Sequence, residues 1–290
     1  MLPTKAPILS VVIGTHNQKE VLKKTLTSLF NQTLSAERYE IQLVDSSSID
    51  GTDKMVEELK PTCRFDYHRV ENRGKAAARN LGIKWAKGEI IFLTDADMVA
   101  DPKLLEEHLL AHQKKPGASF EGLTINLNGK PYIHARLKPG QKLKWAYFLT
   151  GNLSVAKGLL IEAGLFDENF TGYGWEDLEL GYRLHQMKVP LYYLPSAINH
   201  HYHPVTTEDL FQRKFEMGKS AALFYRKHPN FEIKMFLGMN PLALGIYHFL
   251  KKHPHLLEKI KSKAHTCTFA RYLFEEYQYH LGLEKELNPG

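Results

Sequence analysis

The stretch Gly88-Glu89-Ile90-Ile91-Phe92-Leu93-Thr94-Asp95-Ala96-Asp97 (GEIIFLTDAD) decides how this chain is read. An apolar run opened by a glycine and closed by acids describes a strand buried on both faces of a parallel sheet. Open α/β sheets bind ligands just beyond the carboxyl ends of such strands. Alternate residues of an extended segment point the same way, so Asp95 and Asp97 are expected to present two carboxylates together. Carboxylates held that close repel unless one is protonated or a cation lies between them. A hard divalent ion, Mn²⁺ or Mg²⁺, shared with substrate phosphates resolves the conflict. Two ordinary turn acids, one helping to start a helix at Asp101-Pro102, are the plainer alternative.

Working outward, strand and helix patterns alternate through the first hundred residues. Ser10-Val11-Val12-Ile13 is a short strand, followed by Val21, Leu22, Thr25, Leu26, Leu29 and Phe30 at helical spacing. Ile41 to Val44 forms the second strand, and its turn, Asp45 to Gly51, is rich in helix-capping side chains. Phe65 to Val70 is a third strand, and Gly74 to Lys87 is an Ala-rich helix leading into the Asp-x-Asp strand. Such alternation implies right-handed crossovers and a parallel sheet. Three chemically loaded turns then converge on one sheet edge: Gly14 to Asn17, Asp45 to Asp50, and Asp95 to Asp97. Neither GxGxxG nor GxxxxGK[ST] occurs, so neither a dinucleotide fingerprint nor a P-loop is supported. Beyond them, a helix is expected around Gln141 to Leu149, strands at Asn152 to Val155 and Leu191 to Leu194, and helices from Glu208 onward.

The chain has 290 residues, enough for one large α/β domain with an appendage, and a net charge of +6. That modest excess suits an anionic small molecule or membrane surface and is too diffuse for nucleic acid. Cys63 and Cys267 are the only cysteines, which fits a reducing compartment rather than a disulfide scaffold. With no signal-like N-terminus, a cytoplasmic location is expected. Phe236 to Leu250 (FLGMNPLALGIYHFL) is too short to span a bilayer, but with Lys251, Lys252, Lys259, Lys261 and Lys263 behind it, peripheral contact at the inner face of a membrane stays open.

Four ordered blocks, SVVIGTHN from Ser10, LVDSSSIDGT from Leu43, NRGKAAARNLGIKWAKGEIIFLTDAD from Asn72 and GWEDLELGYRLHQ from Gly174, make the chain resemble family 2-type glycosyltransferases of the GT-A fold, over roughly residues 8 to 204. Its later part is similar to galactosyl- and N-acetylgalactosaminyl-transferases, where glycines and a tryptophan precede an acidic pair. The resemblance implies a mostly parallel central sheet flanked by helices over residues 1–204, with a helical extension over 205–290. It implies a metal-dependent, inverting transfer of sugar from a nucleotide diphosphosugar to a hydroxyl of a glycan or lipid-linked acceptor.

By resemblance, Asp97 is a direct metal ligand and Asp95 contacts ribose or metal-bound water. His201 completes the protein ligands, because that family places a histidine about twenty-five residues after the acidic pair; His203 is the second choice. Thr15, His16, Asn17, Ser46, Lys75, Arg79 and Ala96 fall in nucleotide-sugar-binding positions. A helix N-terminus beside Lys75 and Arg79 is also a ready anion site. Asp177 is the expected general base, Glu176 orients the acceptor, and Gly174 and Trp175 contact it. Ser46 stands where many members carry an Asp that contacts uracil, so UDP is favoured while GDP and dTDP stay open. A catalytically silent nucleotide-sugar or glycan-binding module, and a sugar nucleotidyltransferase, are the competing readings.

Overall fold

The computed structural model describes residues 6–132, 137–202 and 206–288. The chain forms two compact units, Met1–Asn169 with Asp177–Pro204, and Phe170–Glu176 with Val205–Gly290. Residues 170–176, expected in the first domain, thus belong with the C-terminal helices.

The first unit is built on strands β1 (Leu9–Thr15), β2 (Tyr39–Ser46), β3 (Arg64–Val70), β4 (Ile90–Asp95), β5 (Met98–Ala100), β6 (Ser119–Asn126), β7 (Lys142–Leu143), β8 (Leu153–Ala156) and β9 (Leu191–His201). They form one sheet in the order β3-β2-β1-β4-β8-β6-β9-β5, with β7 on β9. The half from β3 to β4 is parallel throughout. Beyond β4 the sheet is mixed, because β8 runs antiparallel to both β4 and β6 while β6 and β9 run parallel.

Helices α1 (Lys19–Phe30), α2 (Thr52–Glu57), α3 (Lys75–Trp85), α4 (Leu104–Lys114), α5 (Lys157–Glu162) and α6 (Glu176–Gln186) follow the strands. Alternation explains the two cores. Val11, Ile13, Ile41, Leu43 and Phe92 face α1 and α4 residues such as Leu22, Leu26 and Leu105. Val12, Ile91, Leu93 and Val155 face Ile83, Leu160 and Leu180 on the other side. Both faces are covered, which is why these strands are apolar without alternation. Helix α3 lies close against the sheet: a Cβ at Gly82 would come within 2.6 Å of Val12 Cγ1.

Three expectations are corrected by tertiary packing. The helix around Gln141 to Leu149 is instead β7 and a single 3₁₀ turn at Trp145–Tyr147. Trp145 and Phe148 are buried there, and a Cβ at Gly181 of α6 would press on Phe148 at 2.5 Å, so packing overrides the local pattern. Helix α4 begins at Leu104 rather than at Asp101-Pro102. Asp101 Oδ1 accepts from the Lys103 amide in a tight turn, and Gln32 Oε1 accepts from the Leu105 amide at the helix start. Finally, the strand at Leu191 does not stop at Leu194 but continues, bulged, to His201. The Asn152 amide donates to the carbonyls of Leu123 and Ala197 at that irregularity, satisfying groups the bulge leaves unpaired.

The second unit contains α7 (Thr207–Lys227), α8 (Phe231–Phe236), α9 (Pro241–Lys252), α10 (Pro254–Lys263) and α11 (Thr268–Leu287). A capping box of Thr206 and Asp209 starts α7. Helices α7 and α11 approach closely at two glycines: a Cβ at Gly218 would collide with the Tyr279 carbonyl, and one at Gly282 with that of Phe215.

Under α4, His108 and His112 are buried with Ser154 and Asn152. Ser154 Oγ bonds His108 Nδ1 (2.8 Å) and His112 Nε2 (2.9 Å), and Asn152 Oδ1 bonds His108 Nε2 (2.9 Å). Burial pushes the two imidazoles down from 6.5 to about 3 and about 4. Both stay neutral in the fold while the unfolded chain takes up protons below pH 6.5, so stability is full above that pH and falls as acid is added. Thermal and urea denaturation between pH 7 and 4.5 should show this loss, each histidine adding a slope of up to about 1.4 kcal/mol per pH unit. Substituting His108→Gln and His112→Gln together should flatten the profile over that range.

Candidate active site

The carboxyl ends of β1, β2 and β4 lie side by side, with Thr15 opposite Asp45 and Gly14 opposite Asp95 in register. The first two turns are laced together. The Ser46 carbonyl receives His16 Nδ1 (2.7 Å), Ser48 Oγ accepts from the Asn17 amide (2.9 Å), and Asn17 Oδ1 accepts from the Ile49 amide (2.8 Å). Asn17 and Ser47 hold left-handed backbone, at φ 52° and 58°. Asparagine tolerates that conformation well. Asp45 is buried, accepting from the Ser48 amide (2.9 Å) and the Tyr67 hydroxyl (2.7 Å). Burial, then the Asp45 charge, pushes the Tyr67 phenol up, which keeps it a donor. Thr15 Oγ1 is buried at the end of β1 with no hydrogen-bond partner among the described residues.

Asp95 ends β4, whereas Asp97 lies in the turn before β5. Asp95 Oδ1 takes Arg79 Nη2 at 2.6 Å and Lys75 Nζ at 3.0 Å. Arg79 is 1% exposed, so its charge must be met inside the protein. Burial alone would raise the Asp95 pKa, but the attraction of Lys75 and Arg79 outweighs it and holds the carboxyl at about 2. The repulsion expected between the two acids is therefore relieved at Asp95 by α3. Ala96 also departs from expectation, since its side chain packs in the core and its carbonyl accepts from Thr25 Oγ1 at 2.8 Å.

Asp97 and His201 are brought together. Pairing of β5 with β9 sets Met98 opposite His201, and the Tyr202 amide donates to the Asp97 carbonyl at 2.8 Å. His201 Nε2 then stands 3.4 Å from Asp97 Oδ2. On the other side of the ring, Nδ1 lies 3.3 Å from Asn126 Oδ1. An Nδ1–H donated to that amide oxygen leaves Nε2 turned toward the carboxylate, so a carboxylate oxygen and an imidazole nitrogen face each other. Among the described residues, no group of three or more His, Cys, Asp or Glu side chains forms a ready metal cage. His203 lies outside the described residues.

Asp177 opens α6, its Oδ1 accepting the Leu178 amide at 2.8 Å. Arg183 anchors that helix, gripping Glu179 and donating to the carbonyls of Ala163 and Leu165. Glu121, on β6, feels the charge of Asp177. Burial, and secondarily the Asp177 charge, push the Glu121 carboxyl well above its usual range, against the Leu149 amide it accepts. Glu121 escaped sequence reading; its one signal was an acid inside the strand run Ser119-Phe120-Glu121-Gly122-Leu123.

The residues expected at the acceptor are otherwise occupied. Trp175 Nε1 donates to the Met217 carbonyl at 2.8 Å, and its ring lies 5.6 Å from Phe236 and 6.4 Å from Tyr279. It is a packing residue of the second unit, not an open sugar platform. Gly174, at φ 82°, shapes the turn before it. Glu176 is buried, so it does not present its carboxylate to an acceptor in solvent. A cavity of about 330 Å³ lined by Phe120, Tyr192, Lys115 and Leu110, among others, sits at the start of β9 and includes none of the predicted residues.

Residues 10–160 match the family model described as glycosyl transferase family 2. The chain belongs to that family. A relative, the validoxylamine A glucosyltransferase of Streptomyces hygroscopicus subsp. jinggangensis, is 28% identical over 273 residues, covering 79% of this chain and 63% of its own. The chain thus spans about six tenths of that relative's length. Among solved structures, Staphylococcus aureus TarS 1–349 in complex with UDP-GlcNAc superposes with a TM-score of 0.64 at 16% identity, over 96% of this chain and 90% of that one. The mannosyltransferase PcManGT of Pyrobaculum calidifontis, in complex with GDP-Man and Mn²⁺, reaches 0.67 at 18% identity, over 98% and 88%. These neighbours and the family 2 chain share the GT-A fold.

The Arg79–Asp95 pair is the energetic centre of this edge. Substituting Arg79→Met keeps the side-chain length but leaves Asp95 with Lys75 alone. Urea denaturation should show a loss of about 2–3 kcal/mol, below the roughly 3–5 kcal/mol for breaking a fully buried pair because Asp95 keeps Lys75 and partial solvent contact.

Proposed function

We propose that this chain is a metal-dependent, inverting glycosyltransferase that moves a sugar from a nucleotide diphosphosugar, UDP-sugar favoured, to a hydroxyl of a glycan or lipid-linked acceptor. The observation that carries the reading is the juxtaposition of Asp97 Oδ2, in the turn before β5, and His201 Nε2, at the end of β9, 3.4 Å apart. Membership of family 2 supports it, as do fold neighbours solved in complex with UDP-GlcNAc and with GDP-Man and Mn²⁺.

Asp97 and His201 would hold Mn²⁺ or Mg²⁺, Mn²⁺ being the better match for an imidazole beside a carboxylate. When bound, such an ion stabilises the negative charge that gathers on the departing nucleoside diphosphate. Lys75 and Arg79 fix Asp95 as a charged acceptor at the strand end, suited to hydroxyls of the ribose. Thr15 Oγ1, buried and unpartnered at the end of β1, is placed to bond the nucleoside. Both oxygens of Asp45 already accept hydrogen bonds, and Ser46 offers only a hydroxyl in place of a second carboxylate, so recognition of the base relies on the backbone of these turns.

Asp177 takes the proton from the attacking acceptor hydroxyl. Its place in the first turn of α6 favours the ionised form through the helix dipole. Attack from the face opposite the leaving group then inverts the anomeric centre.

The test is release of nucleoside diphosphate from a donor panel of UDP-, GDP- and dTDP-sugars with and without Mn²⁺. Removing a positioned base should cost about 10²–10⁴-fold, so Asp177→Asn is expected to lower kcat by that factor with donor binding little changed. The substitutions Asp97→Ala and His201→Ala should weaken Mn²⁺ stimulation. Wild-type rates in both Asp97→Ala and Asp177→Asn would refute the mechanism, and donor binding without any diphosphate release would mark a binding module.

A further inference from the structure

We infer that the outward face of α9, with the basic helix α10 after it, rests on the surface of a bilayer carrying anionic headgroups. Helix α9, Pro-Leu-Ala-Leu-Gly-Ile-Tyr-His-Phe-Leu-Lys-Lys, is apolar on two faces. Its inner face is covered: Tyr247 and Leu250 are buried, and the Tyr247 hydroxyl donates to Glu284 at 2.7 Å. Its outer face is not. Leu242, Ile246 and Phe249 are 74%, 45% and 52% exposed. Their spacing of four and three residues sets them on one stripe. Gly245 on the same stripe has open space around it, so nothing in the protein approaches there. A helix that merely closed a globular unit would carry polar side chains on that face.

Charge decides which occupant fits. Residues 251–263 carry five lysines against Glu258 alone, in a chain whose whole net charge is +6. Glu284 accounts for Lys251 at 2.5 Å. Lys252 borders the apolar stripe, and in α10 the exposed Leu256, Lys259 and Lys263 share one face by the same spacing. Pairing two copies of this surface about a two-fold axis would oppose like charges. An anionic bilayer complements them, since an apolar stripe beside lysines lies in the interface plane while the cations meet the headgroups. No described helix is long and apolar enough to cross a membrane, so α9 lies on the surface.

The inference stands on the second unit's surface alone, and its readout does not depend on sugar transfer. The full chain is sedimented with phosphatidylcholine vesicles with or without about a third phosphatidylglycerol. Expected is binding to the anionic vesicles that weakens with salt. Replacing apolar anchors removes most of the interfacial attraction, so the pair Leu242→Ser and Phe249→Ser should lower the bound-to-free ratio by about 10- to 100-fold. Reversing two headgroup-facing charges, Lys259→Glu with Lys263→Glu, should lower it about 10-fold or more and erase the preference for anionic lipid. These lysines are exposed and keep the test decisive should the serine pair disturb folding, which circular dichroism reports. The inference falls if the full chain stays in the supernatant with anionic vesicles, or if both variant pairs bind as the parent does. It also falls if light scattering shows a dimer that the serine pair dissolves while vesicle binding is absent.

Discussion

A guanidinium sealed from water must find its counter-charge within reach, and for Arg79 that counter-charge is Asp95. Much of the catalytic edge follows from this pair. It ties the first turns of α3 to the end of β4, and α3 can come close enough only because Gly82 lets the helix backbone settle on Val12. With Lys75 also on Asp95, the first acid of the motif is spent on the protein, and Asp97 is left to turn toward β9. The two acids are thereby divided between two settings, a fixed anion at the strand end and a carboxylate facing His201 in the turn beyond it.

The position of His201 rests on a second constraint, the irregular pairing of β6 with β9. The register shifts between Gly122 and Leu123, and the freed carbonyls are met by Asn152, whose own oxygen is held by His108. Gly122 is required there because a Cβ would overlap the Asn152 amide. Nearby on β9, Asn199 donates to Thr94 Oγ1 and the Gly151 carbonyl across 105 and 48 residues of sequence. A wholly polar, buried lattice under α4 thus sets the register that carries His201 to Asp97. Such networks specify one arrangement because an unpaired member inside the protein is costly.

The second unit shows how a motif's chemistry can mislead. A tryptophan between glycines and acids reads as a sugar platform, yet Trp175 sits at φ 72° with its indole hydrogen-bonded and its ring among Phe236, Phe224 and Tyr279. Packing, not recognition, accounts for it. Conversely, the apolar stretch Phe236 to Leu250 with the lysines after it reads in sequence only as leaving peripheral membrane contact open. Which face of α9 is covered, and hence that Leu242, Ile246 and Phe249 are not, emerges only when Tyr247 and Leu250 are seen turned inward.

What the sequence determined by itself was the α/β alternation, the three loaded turns at Gly14–Asn17, Asp45–Asp50 and Asp95–Asp97, and the identity of the chemically able side chains. Those follow from periodicity and from residue type, which are local properties. The tertiary structure alone decided which acid meets which cation, that residues 141–149 abandon the helix for Trp145 and Phe148 burial, and that Glu121 is sealed inside the sheet against the Leu149 amide. Each of these depends on contacts between distant segments, where register, burial and the cost of an unmatched buried charge choose among partners that no stretch of sequence can see.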